Sequence, residues 1–238
     1  MRVFPPITPV SLSVSPQTDP SSNPLALHTP ERVARMVSDL RLGLPVVLLG
    51  GAAATLVLPV ETLSADRFAA LCHGGELVLT ARRAESLRLR VPEGEVARIP
   101  VPAGARLDWV QALADPSRQM PASGAVPQAP QQAPTLLHRA AIRLVKAAEL
   151  LPAALVVTGP EVVQMALQSG LGVMDAHEVM DQILLARDPR PVSDARVPML
   201  AARNGRLHVF RAPDGGPEHY AVELGSPDRS QPVLVRLH

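Results

Sequence analysis

Hydrophobic positions change period several times along the chain, and each change marks an element. Val33, Met36, Val37 and Leu40 recur at i, i+3, i+4 and i+7, the spacing of a buried helix face. Thr29 is placed to cap this helix, Pro30 suits its first turn, Glu31 complements its dipole and Gly43 stops it. Two short apolar runs follow, over 45–49 and 55–60, separated by Gly50-Gly51-Ala52-Ala53-Ala54. That pattern predicts paired strands joined by a hairpin-like turn. Ser64 is placed to cap a short helix through Leu71. Residues 76–80 then read as a strand, and Thr80 as the cap of a helix to about Leu87. A strand over 96–101 and a short helix over 108–113 complete the first half.

The second half begins with a helix over 136–151 that ends before Pro152, then a buried strand over 153–157. Helices are predicted over 161–168 and from the Asp175 cap to about Ala186. From Val197 onward the pattern is all-β. Strands are predicted over 208–211, 219–224 and 232–237, with turn signals at Asn204-Gly205, Asp214-Gly215-Gly216 and Ser226-Pro227-Asp228. The α-β-β-α-β-α-β-α order of the first half indicates a mixed α/β domain and not a simple Rossmann repeat. A domain boundary is expected near 190, within Arg187-Asp188-Pro189-Arg190-Pro191.

Composition sharpens this picture. With 238 residues, 47% of them hydrophobic and 19% charged, the chain can bury a core. Aromatics make up 2%, so that core must come from Leu, Val, Ala and Met. Of 26 prolines, seven fall in 1–30 and five in 116–134. Residues 1–28 therefore read as a disordered leader and 115–134 as a linker or long surface loop. A net charge of +1 argues against a nucleic-acid partner. No apolar run approaches the ~18 residues of a membrane span, and the first residues lack the apolar core of a secretory signal. The expected location is the cytoplasm.

Local candidates for chemistry each have a plain structural alternative. Cys72-His73 could pair a nucleophile with its base, but adjacent helical residues point about 100° apart. His177 and Asp181, with Asp175 and Glu178 nearby, have helical spacing that could hold a divalent cation. Acids in a first helical turn are equally what the helix dipole favours. Gly50-Gly51 lacks the Lys and Ser or Thr of a phosphate loop. Lys146 sits in an apolar helix and reads as a snorkelling side chain. The single cysteine excludes an internal disulfide or a multi-cysteine zinc site within these residues.

Two segments carry a family resemblance. Residues 197–238 contain Pro198, Gly205 and the apolar run Leu207–Phe210. They continue with Glu218-His219-Tyr220-Ala221-Val222-Glu223-Leu224-Gly225 and Pro232-Val233-Leu234-Val235-Arg236-Leu237-His238. In order and spacing these resemble the opening strands of GTP cyclohydrolase II, a riboflavin-biosynthesis enzyme. The resemblance implies that Arg236 and His238 match the first and third positions of a segment that contributes to the GTP site. It also implies a catalytic zinc, held in the complete enzyme by cysteines that follow this segment. No metal site, catalytic residue or cofactor is expected within residues 1–238.

Residues 29–187 resemble 3,4-dihydroxy-2-butanone 4-phosphate synthase, often fused upstream of GTP cyclohydrolase II. The resemblance rests on the helix and strand RVARMVSDLRLGLPVVLL and on the helix-Pro-strand unit Ala141–Leu155. It implies a three-layer α/β domain with a mixed twisted sheet. That family places an acidic, magnesium-binding loop after its first strand, where this chain has Gly50-Gly51-Ala52-Ala53-Ala54. The family's His-Thr-Glu triplet is matched by Leu137-His138-Arg139, with His138 one position off and Arg139 reversing the charge.

The expected organisation is thus a leader over 1–28, a degenerate synthase-like domain over 29–190, and the incomplete start of a cyclohydrolase domain over 191–238. The expected function is that of a riboflavin-biosynthesis protein of bacterial GTP cyclohydrolase II type, inactive as this truncated chain. In the complete enzyme GTP is converted to a diaminopyrimidine phosphate, formate and pyrophosphate. The alternative is a noncatalytic assembly or regulatory module that dimerises through its synthase-like domain. Strands lacking their partners would also leave exposed sheet edges.

Overall fold

The computed structural model describes residues 25–71, 74–89, 96–119, 126–127, 135–185, 189–200, 204–212, 217–228 and 230–237. Most of the expected leader and of the 115–134 linker lies outside these residues.

Six strands form one sheet: β1 (Val46–Gly50), β2 (Ala53–Pro59), β3 (Glu76–Thr80), β4 (Val96–Pro100), β5 (Ala153–Thr158) and β6 (Val173–Asp175). Their order is β4-β3-β5-β2-β1-β6. Every neighbouring pair is antiparallel except β1 with β6. Strand residues alternate between two cores, as a pleated sheet covered on both faces requires. Val46, Leu48, Val57, Val78, Val156 and Met174 face helices α1 (Thr29–Arg41), α5 (Leu136–Ala147) and α7 (Ala176–Leu185). Val47, Leu56, Leu58, Leu77, Ile99 and Leu155 face α2 (Ala65–Leu71), α4 (Leu107–Ala114) and α6 (Val162–Gln168). This is the expected three-layer mixed α/β domain.

Local capping chemistry sets several helix ends. Thr80 Oγ1 accepts the Arg83 N–H at 3.2 Å and starts α3 (Ala81–Ser86). Ser64 Oγ accepts from Arg67 N–H at 3.3 Å ahead of α2. Arg83 then reaches across to α4, where its Nε donates to the Leu113 carbonyl at 2.8 Å and its Nη2 to that of Ala112 at 3.2 Å. These otherwise unpaired C-terminal carbonyls are thereby satisfied. Replacing Thr80 with Ala is expected to cost about 1 kcal/mol, the usual loss for an N-cap hydroxyl, read as a lower urea midpoint.

The structure corrects several expected boundaries. α1 is capped by His28, whose N–H donates to Glu31 Oε2 at 2.8 Å, so Thr29 lies one residue inside the helix. α5 stops at Ala147, four residues earlier than its apolar pattern suggests. Glu149 turns into the left-handed region at φ +59° and Arg41 Nε donates to the Ala148 carbonyl at 3.0 Å, ending the helix in a tight turn. β6 has only three residues and merges in sequence with the cap of α7, so no period exposes it. Its partner β1 supplies the parallel pairing.

A second, three-stranded antiparallel sheet contains β7 (Arg190–Val197), β8 (Gly205–Arg211) and β9 (Glu218–Leu224), in that order. β7 begins where the sequence pattern predicts only a boundary, because Pro191, Asp194 and Arg196 break any apolar alternation. The strand predicted over 232–237 is irregular. Leu234 and Leu237 are 98% and 93% exposed, and no described strand pairs with this segment to convert its alternation into a ladder.

Candidate functional site

The turn after the first strand decides what this fold can do. Gly50 pairs directly with Ala53, leaving Gly51-Ala52 as a two-residue hairpin turn. Gly51 has φ +62°, a conformation that glycine adopts without penalty. The start of α5 presses on the same place: a Cβ on Gly50 would come within 3.0 Å of the Leu137 side chain. No carboxylate belongs to this turn, and its shortness leaves no loop to carry one inward. A hard divalent cation needs several oxygen ligands. The residues of this turn therefore do not fit magnesium, and no step of a reaction is routed through it.

One turn along α5 lies a network of ionisable groups. Glu76 opens β3, Arg98 lies diagonally across from it on β4, and both face the α5 layer. Arg98 clamps the carboxylate with two parallel bonds, Nη2 to Oε1 at 2.8 Å and Nε to Oε2 at 3.1 Å. His138 Nε2 lies 3.1 Å from Oε2. The other ring nitrogen, Nδ1, accepts the Thr135 backbone N–H at 3.1 Å and lies 2.7 Å from Thr135 Oγ1. A backbone N–H can only donate, so Nδ1 is unprotonated and the proton sits on Nε2, pointing at Glu76. His138 is 7% exposed. The hydrogen bond from His138, reinforced by the Arg98 bonds and charge, outweighs burial and lowers the Glu76 pKa to about 2.

This arrangement is closed. The carboxylate and the imidazole have partners on each side, and Thr135 anchors the ring to the helix start. Its geometry holds α5 against the β3–β4 edge of the sheet and leaves no base aimed at a substrate. A lone histidine in the sequence could not disclose it, because the partners lie 62 and 40 positions away. The available signal was weaker: Glu76 and Arg98 are the two charges in strands otherwise made of Leu, Val, Ala, Ile, Thr and Pro.

The other sequence candidates are dispersed. Asp175 Oδ1 accepts the His177 N–H at 2.8 Å, and Glu178 pairs with Arg32 at 3.7 Å, so these acids serve a helix start and an interhelix ion pair. Among the described residues no three His, Cys, Asp or Glu side chains come together as a metal site. Lys146 lines a surface groove with Val37, Arg41, Ile183 and His219. Arg236 is exposed on the irregular segment 232–237, while Cys72, His73 and His238 lie outside the described residues. In the second sheet, His208 Nε2 meets Glu223 Oε2 at 3.0 Å and Arg206 meets Asp194 at 3.2 Å. No described helix is long and apolar enough to cross a membrane.

Comparison with known proteins agrees with this architecture. No family model matches the chain. GTP cyclohydrolase-2 of Azospirillum brasilense is 35% identical over 170 residues, covering 68% of this chain and 44% of that enzyme. The chain thus spans less than half the length of this relative. A solved two-domain 3,4-dihydroxy-2-butanone 4-phosphate synthase from A. baumannii superposes with a TM-score of 0.50 at 18% identity, covering 82% of this chain and 70% of that one. The resemblance to the GTP cyclohydrolase II family, with a synthase-like domain, is borne out by these two likenesses together.

Proposed function

We propose that this relative of GTP cyclohydrolase-2 serves riboflavin biosynthesis in the bacterial cytoplasm, with its synthase-like domain kept as a noncatalytic scaffold. The observation that carries this reading is the β1–β2 connection, a two-residue Gly51-Ala52 turn without a carboxylate. Synthase chemistry of the kind the resemblance implies requires oxygen ligands for a hard cation there. The inward-facing acid of the same layer, Glu76, is already clamped by Arg98 and His138. Identity of 35% to a cyclohydrolase relates the chain to that pathway, while the fold alone is shared with the synthase.

The GTP reading rests on the second sheet and the segment after it. Arg236, and His238 beside it in sequence, would contribute to holding GTP, because a guanidinium fork matches phosphate oxygens. Zinc-dependent ring opening would need a set of thiolates. Residues 1–238 hold one cysteine, so they do not fit that metal and supply none of the steps through it. A second reading, a noncatalytic assembly module associating through the synthase-like domain, is favoured by the closed network, which ties α5 to β3 and β4 and turns its ionisable groups toward one another.

Complementation tests the scaffold reading. The chain, expressed in cells deprived of their own dihydroxybutanone phosphate synthase, is expected not to restore growth without riboflavin. Restored growth would show that the domain retains the activity.

A further inference from the structure

A groove of about 280 Å³ opens between the helical layer of α1, α5 and α7 and the β8–β9 end of the second sheet. Helical periodicity builds its longest wall. Pro30, Ala34, Val37 and Arg41 recur at i, i+4, i+7 and i+11, one stripe along α1 beside the Val33, Met36 and Leu40 stripe that enters the core. α5 adds Lys146 from its last turn, α7 adds Gln182 and Ile183, and β9 adds His219. Lys146 lies roughly 14 Å along the axis of α5 from Leu137, the residue that presses on the β1–β2 turn. The groove is thus separate from the place where synthase chemistry would sit.

Its floor is apolar and its rim polar. Val33 and Ile183 are 6% and 5% exposed, and Val37 and Ala147 pack against the same core. On the rim Arg41 is already committed, since its Nε donates to the Ala148 carbonyl and Glu149 lies 3.9 Å from its Nη2. Two cations, Arg41 and Lys146, face the one acid among the described lining residues, Glu149, so one positive charge is uncompensated. Lys146, Gln182 and the His219 ring have no side-chain hydrogen bond or ion pair among the described residues. An apolar floor with a few convergent, unsatisfied polar groups, set between two units of one chain, is the usual form of a small-molecule site. The volume is at the low end for such sites, which suits one ring or two fused rings.

We propose that this groove binds a compact planar molecule carrying one negative charge. The ring lies against Val37 and Ile183, where it removes apolar surface from water. The anion meets the Lys146 ammonium, whose charge it neutralises. Gln182 and His219 supply neutral donors on either side, one from each unit, so the same ligand bridges the helical layer and the second sheet.

The probe is 2-naphthoate, titrated into the isotope-labelled full chain and followed by amide NMR shifts. Shifts are expected over 33–41, 146–149, 182–183 and 219, with a dissociation constant on the order of 1 mM or lower for so small a ligand. The amide 2-naphthamide keeps the shape without the charge and is expected to bind roughly fivefold more weakly, the upper range for a solvent-exposed ion pair. Lys146→Met, at an exposed position that costs no packing, should weaken 2-naphthoate by the same factor and leave 2-naphthamide unchanged. Ala34→Trp, which fills the groove from α1, should abolish the shifts. Arg35→Met, off the groove on the same helix, should change nothing. Equal affinity for the two probes, or an unchanged affinity in Lys146→Met, would overturn the proposal. So would shifts confined to Leu207, Tyr220 and Val222 of the second sheet, or none up to about 10 mM.

Discussion

Glu76→Gln is expected to lower the unfolding free energy by about 3 kcal/mol, as for breaking one side of a largely buried ion pair. The substitution keeps the shape and removes the charge. Arg98, whose side chain is 15% exposed, then faces a neutral amide in place of a carboxylate it had gripped through two bonds. His138 Nε2–H loses its charged acceptor as well. Urea denaturation of Glu76→Gln, Arg98→Met and the double variant measures the coupling. The double variant should be less destabilised than the sum of the singles, because no buried charge is left alone.

The same group sets an acid limit. Glu76 titrates at about 2 in the folded protein against 4.5 for an ordinary glutamate carboxyl. Its stabilising contribution is therefore fully present above pH 4.5 and is lost as the pH falls from there toward 2. At about 1.4 kcal/mol per pKa unit the loss is on the order of 3 kcal/mol. The stability of Glu76→Gln should fall less steeply than that of the wild type across this interval, and parallel curves would remove Glu76 from the account.

Gly43→Ala is the second large effect, at about 2–4 kcal/mol, for two separate reasons. Gly43 follows the C-cap of α1 with φ +74°, its N–H donating to the Leu40 carbonyl at 2.9 Å while Leu44 N–H donates to that of Asp39 at 2.8 Å. A Cβ there would lie 2.5 Å from the Thr62 carbonyl oxygen, which is backbone and cannot swing aside. Arg67 also donates to the Gly43 carbonyl, fixing the same corner. Gly51→Ala isolates the conformational part, since φ is +62° there but nothing lies within 4 Å of an added Cβ. It should cost about 1 kcal/mol. Equal losses in the two variants would show that the close approach to Thr62 has no energetic consequence.

Much of the fold was legible because one signal repeated. Apolar residues at helical spacing from Val33 to Leu40, and runs bounded by Gly and Thr at β1, β2 and β3, needed no tertiary information. Legibility failed where pairing partners decide. β6 exists because β1 offers an edge, and β7 because β8 lies beside it. Residues 232–237 have strand-like residues and no described strand beside them. At the site, the missing carboxylates at 50–54 were plain in the sequence, and the structure added that the hairpin closes in two residues, leaving no loop of its own to carry one. The Thr135–His138–Glu76–Arg98 network was not legible, because it joins three distant elements through side chains that are unremarkable singly.

Activity of the purified chain decides whether a synthase fold stands here without synthase chemistry. The purified chain, with magnesium and the sugar phosphate that dihydroxybutanone phosphate synthases use, is assayed for 3,4-dihydroxy-2-butanone 4-phosphate. Product no greater than in the protein-free control is expected, at any magnesium concentration. Magnesium-dependent product that scales with the amount of protein would contradict the account.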